Sequence, residues 1–354
     1  MVQVPNGFTV VVGLGVSGQA ICRHLTQLGR PFMVADTRET PPGLEAFQQA
    51  HPAVHVHCGA LTLLDMRDAY EVVVSPGVDP YTAGLEGLLE RHNPTTGEPM
   101  LVGEIALFKR AVKAPIAAIT GSNAKSTVTT LLGEMAAASG IKAAVGGNLG
   151  TPALDLLAEQ PDAELFILEL SSFQLETTPW LGAASVAFLN LCDDHLDRHG
   201  DLAGYRQAKQ RIFLGADHAV VNADDDQTWP ESMLNHVEYF SSEPPIGQSW
   251  GLDERQGRWW LMHGQTPWLA ADELQLAGRH HYANALAALA MGNALGFGRA
   301  DMCRALRAFA GLPHRSEWIA DINGVRWVND SKGTNVGATR SEEHTSELQS
   351  PVTI

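Results

Sequence analysis

The apolar positions of this chain fall into short continuous runs broken by glycine turns and amphipathic stretches. Residues 8–36 read FTVVVGLGVSGQAICRHLTQLGRPFMVAD. An apolar strand meets Gly13, Gly15 and Gly18, an amphipathic helix follows, and a second strand ends at Asp36. This is a βαβ unit on a G-x-G-x-x-G turn. A further strand, YEVVVSPGVDP, ends in a turn at Gly77. A second unit starts near Pro115, where the strand IAAIT runs into TGSNAKST and a helix from Lys125. LFILEL (165–170) and VAFLNL (186–191) are apolar throughout, as strands buried on both faces are. HAVVNADD (218–225) predicts another strand, YANALAALAMGNAL (282–295) a helix, and residues 236–270 short antiparallel strands. The Trp259–Trp260 pair reads as part of a packed hairpin rather than a stacking surface. A third unit opens at GLPHRSEWIADINGVRWVNDSKGTNVGATR and has barely begun when the chain ends. Strands alternating with helices predict an α/β protein with parallel sheets. The pattern divides it into residues 1–112, 113–312 and 313–339, then a polar tail over 340–354.

Composition narrows the function. The 354 residues suit two or three domains, and 45% apolar with 18% charged residues is ordinary for a globular protein. No apolar run is long enough for a membrane span, and the N-terminus has no signal-peptide pattern. A net charge of −16 argues against a nucleic-acid partner, which needs a basic face. Cys22, Cys58, Cys192 and Cys303 form no C-x-x-C pair and predict free thiols in a reducing, cytoplasmic compartment. His55, His57 and Cys58 lie close in sequence, but a closed zinc site needs four ligands and no second pair is evident.

Two glycine turns carry the candidate chemistry. The first reads as a dinucleotide site with Asp36 on a ribose hydroxyl, as a site where Asp36, Thr37 and Arg38 hold a uracil, ribose and phosphate, or as a βαβ unit without ligand. The second, T-G-S-N-A-K-S-T, is a shortened phosphate loop anchored by Gly121, since Ile119 stands where the usual motif has its first glycine. Its backbone amides at a helix start can face a phosphate, with Lys125 on the β/γ-phosphates and Ser126 or Thr127 toward Mg²⁺. Ala is tolerable at 124 if that residue sits at negative φ, where a Cβ costs little. Glu169 ends a buried strand at the edge where open α/β sheets bind ligands, and is a natural Mg²⁺ ligand there. Asp193, Asp194, His195 and Asp197 follow the next strand, and Lys209 lies on a helix soon after.

Together these segments resemble the Mur ligases, ATP-dependent amide-bond-forming enzymes of peptidoglycan precursor synthesis. TGSNAKST is similar to the family's phosphate loop, which usually has glycine at the place of Ala124. GGNLGTP (146–152), LELSSFQLE (168–176), DDHLDRH (193–199), YRQAKQRI (205–212), HHYANALAA (280–288), GLPHR (311–315) and NDSKGTN (329–335) resemble its motifs in order, over residues 8–339. LELSSFQLE and GLGVSG with Asp36-Thr37-Arg38 resemble the branch that joins D-glutamate to UDP-N-acetylmuramoyl-L-alanine.

The resemblance implies a Rossmann-like N-terminal domain for the UDP-substrate, a P-loop central ATPase domain with a parallel sheet plus a small antiparallel one, and a C-terminal Rossmann-like domain mostly missing here. It implies that ATP phosphorylates the substrate carboxylate and that the D-glutamate amine displaces the phosphate. Gly121, Ser122, Asn123, Ala124, Lys125, Ser126 and Thr127 would hold the ATP phosphates, with Asn284 near adenine and Arg315 and Asp330 nearby. Ser126 and Glu169 would hold one Mg²⁺, and His195 a second. Lys209 matches a lysine that CO₂ converts to a carbamate ligand. Gly15, Val16, Ser17, Asp36, Thr37, Arg38 and Gly77 would surround the uridine diphosphate and Asn148 the sugar-peptide, with no NAD. Lys125, Lys209 and His195 are the catalytic candidates. The family often has Asn where this chain has His281. A cytoplasmic monomer is expected.

The alternatives are another Mur-type amino-acid ligase, an NAD-dependent oxidoreductase with a fortuitous phosphate loop, or a nucleotide-binding module alone. RSEEHTSELQSP (340–351) is what a common sequencing-adapter string encodes in one frame, so the genuine protein is expected to end near Thr339 or Arg340 in this sequence. Without the family's closing domain, the chain as written is expected not to ligate.

Overall fold

A computed structural model describes residues 2–94, 96–276, 278–315, 317–322 and 325–332. The expected tail over 340–354 and residues 333–339 of the third segment lie outside them. The chain forms two compact units. One is Met1–Ala114 with Gly146–Ala163 and Leu170–Leu181; the other is Pro115–Val145, Glu164–Glu169 and Gly182–Ile354.

The first unit is built on a five-stranded parallel sheet. Its elements are β1 (Thr9–Val12), helix α1 (Val16–Gln27), β2 (Phe32–Asp36), β3 (Val56–Cys58), β4 (Glu71–Val74), β5 (Leu101–Gly103) and helix α2 (Glu104–Ala111). The strand order is β3-β2-β1-β4-β5. β1, β2 and β4 are buried along their whole length, which explains their unbroken apolar runs. The chain leaves β1 toward β2 and later returns on the other side as β4, so the carboxyl ends of β1 and β4 flank the crevice where such sheets bind ligands. The helices Ala153–Glu159 and Ser172–Glu176 belong to this unit although the sequence places them beyond the phosphate loop. What joins them is packing: α2 and α1 both contact the Ala153–Glu159 helix.

The second unit holds a nine-stranded sheet. In chain order its strands are β6 (Ile116–Thr120), β7 (Ala143–Gly147), β8 (Leu165–Glu169), β9 (Ser185–Phe188), β10 (His218–Asn222), β11 (His236–Phe240), β12 (Trp250–Arg255), β13 (Arg258–His263) and β14 (Thr266–Ala270). The spatial order is β14-β13-β12-β11-β10-β9-β6-β8-β7. β11 pairs in parallel with β10, and the antiparallel β12, β13 and β14 extend the edge of the same sheet. Trp259 and Trp260 lie on β13 inside that meander. Helix α3 (Lys125–Ala138) and the helices Arg279–Ala294 and Arg299–Ala308 cover the sheet and pack on one another. Leu131, Leu132, Met135, Leu286, Leu289 and Met291 are among the side chains closing this core. Truncating one such leucine to alanine costs about 2–5 kcal/mol. A hairpin of Glu317–Ile322 and Val325–Asn329 follows.

Candidate functional site

In the first unit, the turn after β1 is shaped by contacts that only glycine permits. Gly13 has φ 98° and accepts a hydrogen bond from Ser75 Oγ at 3.0 Å. A Cβ on Gly18 would lie 1.8 Å from the Gly13 carbonyl oxygen, so the start of α1 can approach the turn only without a side chain there. Beside this turn opens a cavity of about 600 Å³. Gly15, Val16 and Ser17 line it from the start of α1, and Asp36, Thr37 and Arg38 from the end of β2. Gly77 and Asn148 complete the set, so all eight residues expected around the UDP-substrate face one space. Ser75 and Gln174 line it too and were not singled out from the sequence. The signal for Gln174 lies in S-S-F-Q, a capping box in which Ser171 caps the short helix and Gln174 reaches back to the Ser171 amide at 3.0 Å.

Asp36 is 2% exposed, and its oxygens are committed. Oδ2 accepts the Leu14 amide at 2.8 Å and Arg38 Nη2 at 2.7 Å; Oδ1 accepts the Arg38 amide at 3.0 Å and Nε at 2.8 Å. Burial works against the charge, but the Arg38 guanidinium and the two amides outweigh it and hold the carboxyl below its ordinary range. Four bonds occupy the four lone-pair sites of a carboxylate. A ribose hydroxyl bound as in a dinucleotide site would need one of them, so the arrangement disfavours that role for Asp36. Arg38 is half exposed and lines the cavity.

In the second unit, register sets the site. Glu169 pairs with Ile119 and Phe188 with Thr120, so β6, β8 and β9 end at one edge and deliver the 121–124 loop, Glu169 and the segment after Phe188 together. Asn190 Oδ1 takes the Asn123 amide at 2.8 Å, and Ser122 Oγ takes the Cys192 amide at 3.0 Å, which pins the loop. Ala124 has φ 65° and ψ −4°. The condition of a negative φ is therefore not met: the loop passes through the left-handed region as it enters the helix, where a residue with a Cβ is disfavoured relative to glycine.

Lys125 Nζ donates to the Gly121 and Ser122 carbonyls at 3.0 and 2.9 Å. Ser126 Oγ donates to Glu169 Oε2 at 2.7 Å, and Arg315 Nη2 reaches Ser126 Oγ at 3.0 Å. Lys209, 1% exposed, donates to Gly121 O at 2.8 Å and Thr120 Oγ1 at 3.3 Å. Burial, then the Lys125 charge, drives its amine well below the ordinary lysine value. Lys125 is lowered too, by burial foremost and then against the pull of Glu169. Tyr205, missed as a site residue, links the groups. Lys209 Nζ sits 4.6 Å from its ring centroid, Ser122 Oγ donates to its hydroxyl at 3.4 Å, and His195 meets its ring edge-on at 6.0 Å. His195 itself has φ 51°, a strained backbone of the kind found at functional sites. Asn284 and Thr127 line a narrow apolar pocket with Leu131, His281 and Phe309. Asp330 pulls the His280 pKa up, against the larger lowering by burial.

Among the described residues, no three His, Cys, Asp or Glu side chains form a metal cluster. The expected set is of another kind: one hydroxyl, one carboxylate, one imidazole and a lysine that only a carbamate turns into a ligand. The buried Ser126–Glu169 pair at the start of α3 offers hard oxygen donors suited to Mg²⁺. No helix among the described residues is long and apolar enough to cross a membrane.

Residues 119–292 match the Mur ligase middle domain, and residues 7–97 the MurD-like N-terminal domain of Mur ligases. The chain is 63% identical over 339 residues to a UDP-N-acetylmuramoylalanine--D-glutamate ligase of Chromohalobacter salexigens, covering 96% of this chain and 74% of that protein. It is 49% identical to the Pseudomonas putida enzyme of the same name, over 94% of this chain and 72% of that one. Among solved structures, a pseudomurein peptide ligase type C from Methanothermus fervidus shares the fold at a TM-score of 0.58 and 18% identity, covering 97% of this chain and 78% of that one. A UDP-N-acetylmuramate-alanine ligase from Thermotoga maritima does so at 0.55 and 18%, over 95% and 76%. At this identity and coverage, the chain belongs to the Mur ligases, within the UDP-N-acetylmuramoylalanine--D-glutamate ligase family.

Proposed function

We propose that this chain serves the ATP-dependent joining of D-glutamate to UDP-N-acetylmuramoyl-L-alanine in peptidoglycan precursor synthesis, as a cytoplasmic monomer where its nucleotide substrates are made. The observation that carries the reading is the 63% identity to a ligase of that name across 339 residues. The L-alanyl carboxylate oxygen attacks the γ-phosphorus of ATP, and the bond to the ADP oxygen breaks. The D-glutamate amine then adds to the acyl phosphate carbon, the carbon–oxygen bond to phosphate breaks, and the amine loses a proton. A carboxylate is a poor acyl donor, so phosphorylation supplies the leaving group.

The chain's own part is positioning and charge neutralisation. The 121–127 amides and Lys125 orient the phosphates, and Arg315 adds positive charge beside Ser126. Asn284 would pack near adenine, with Asp330 in the same ATP neighbourhood. Ser126 and Glu169 would hold one Mg²⁺, and His195 with Lys209 a second, to neutralise phosphoryl oxygens in flight. Lys209 suits its carbamate role because an unprotonated amine is the form that adds CO₂, making a C–N bond and releasing one proton. In the first unit, Arg38 and the amides at the start of α1 take the diphosphate and uracil, Asp36 holds Arg38 in place, and Asn148 faces the sugar-peptide.

The test is ADP release by this chain carried to its relatives' length with the last quarter of the Chromohalobacter salexigens protein. Release should require UDP-N-acetylmuramoyl-L-alanine and D-glutamate together and vanish in Lys125→Ala. Release driven equally by another amino acid would move the chain to a different Mur-type ligase.

A further inference from the structure

Glu104 is a buried carboxyl that the reaction above does not use. It opens α2 and is 1% exposed. Its Oε1 accepts the Leu154 amide at 3.1 Å, at the start of the Ala153–Glu159 helix. Its Oε2 is buried and completes no hydrogen bond among the described residues. The Ser17 hydroxyl, one of the groups lining the 600 Å³ cavity, lies close enough to favour the ionised form. A buried carboxyl with one oxygen unsatisfied is costly as an anion and much less so as an acid, which donates where the anion cannot.

We propose that Glu104 is a proton-linked positioning residue of the cavity: it takes up a proton when an anionic ligand settles at the start of α1, and Ser17 connects it to that ligand. The proposal rests on reading the cavity as the UDP-substrate site. A diphosphate brought to the α1 N-terminus places two negative charges near an already strained carboxylate. Like charges disfavour the ionised form, so binding raises the proton affinity of Glu104. By linkage, the protonated chain then binds the ligand more tightly than the ionised chain does.

The surroundings leave the group poised. Burial, the largest influence, pushes its pKa up to about 7, and Asp155 pushes the same way. The Leu154 and Ala153 amides and Ser17 pull it down. Of the elements packed against it, α1 carries Cys22, Arg23 and His24, the Ala153–Glu159 helix carries Asp155 and Glu159, and the Ser172–Glu176 helix carries Glu176. Its own helix carries Lys109 and Arg110. Arg23 already holds Asp155, at 2.9 and 2.6 Å. His24 is lowered by burial and so stays neutral at the pH where Glu104 titrates.

The experiment is calorimetric titration of the chain with UDP-N-acetylmuramoyl-L-alanine, whose diphosphate and carboxylate stay ionised and whose uracil stays neutral between pH 6.5 and 8. Paired buffers of different ionisation enthalpy report the protons exchanged. Wild type should take up a fraction of a proton per ligand at pH 7.5, and its affinity should fall as pH rises, by about tenfold for each unit the ligand adds to the Glu104 pKa. Glu104→Gln should show no uptake and a flat affinity profile. Binding by wild type without uptake, or uptake that persists in Glu104→Gln, overturns the proposal. Absence of any binding by wild type removes the cavity reading beneath it. If Glu104→Gln does not fold, ¹³C-carboxyl NMR of wild type decides. A glutamate titrating near neutrality should move to higher pH with ligand, and an unmoved one contradicts the coupling.

Discussion

Replacing Ala124 by glycine should stabilise the second unit, an unusual outcome for a glycine placed at the mouth of a helix. Ala124 sits at φ 65°, ψ −4°, where an L-residue with a Cβ is disfavoured by about 1–2 kcal/mol. Glycine relieves that cost but gives back roughly 0.5–1 kcal/mol in chain entropy. The Ala124 methyl is partly buried against the core, and its loss takes back a few tenths more, on the order of 0.3 kcal/mol. The net is a gain of about 0.5 kcal/mol, or roughly 1–2 °C in Tm for a unit of this size. Ala283 supplies the comparison. It lies inside the Arg279–Ala294 helix and packs, partly buried, against the same core, so Ala283→Gly loses a similar methyl at helical φ. That variant should cost about 1 kcal/mol or more. Urea unfolding of the 354-residue chain, followed by tryptophan fluorescence, measures both; Trp250 and Trp268 report on this unit. The two variants should differ by about 1.5 kcal/mol, with opposite signs. An Ala124→Gly variant as damaged as Ala283→Gly would refute the left-handed assignment and the reason given for it.

Gly18→Ala puts a Cβ 1.8 Å from a backbone oxygen that cannot swing away, so it should cost about 3 kcal/mol or more and abolish UDP-substrate binding, measured by unfolding and calorimetry. His281 is half-buried and its pKa lowered to about 3, by desolvation first and then by His280. The unfolded chain therefore binds its proton first, below pH 6.5, and stability must fall as pH drops from there toward 3. The loss should reach about 2 kcal/mol at pH 5, and His281→Asn should remove it from the pH profile of urea unfolding. If the Ser126–Glu169 pair holds a divalent ion, Glu169→Gln should leave nucleotide affinity nearly insensitive to added Mg²⁺, as read by fluorescent-nucleotide titration.

Much of this architecture was legible because the strands are buried on both faces. VVVG and IAAIT read as strands because a glycine turn ends each of them, and each turn then marks a ligand edge; LFILEL reads so by its unbroken apolar run. The eight cavity residues came as a set from the resemblance to the family, and the fold brings them to one cavity. What escaped depended on packing or backbone torsion. The Ala153–Glu159 helix joins the first unit through contacts with α1 and α2, which linear order hides. The conformation of Ala124 follows from how the loop meets the helix, and its side chain carries no trace of that. Glu104 looks like an ordinary polar residue at the start of EIALFKRA; only burial shows otherwise. Tyr205 stood inside a quoted motif, but its place between Lys209, Ser122 and His195 is a tertiary fact.

The central claim is that the first unit's glycine turn serves a UDP-substrate rather than a dinucleotide. Calorimetry of the chain against UDP-N-acetylmuramoyl-L-alanine and against NAD, with wild type and Arg38→Ala, tests it most directly. The UDP-substrate should bind at one site, Arg38→Ala should lose that binding, and NAD should give no heat. Tight NAD binding beside indifference to the UDP-substrate would contradict it.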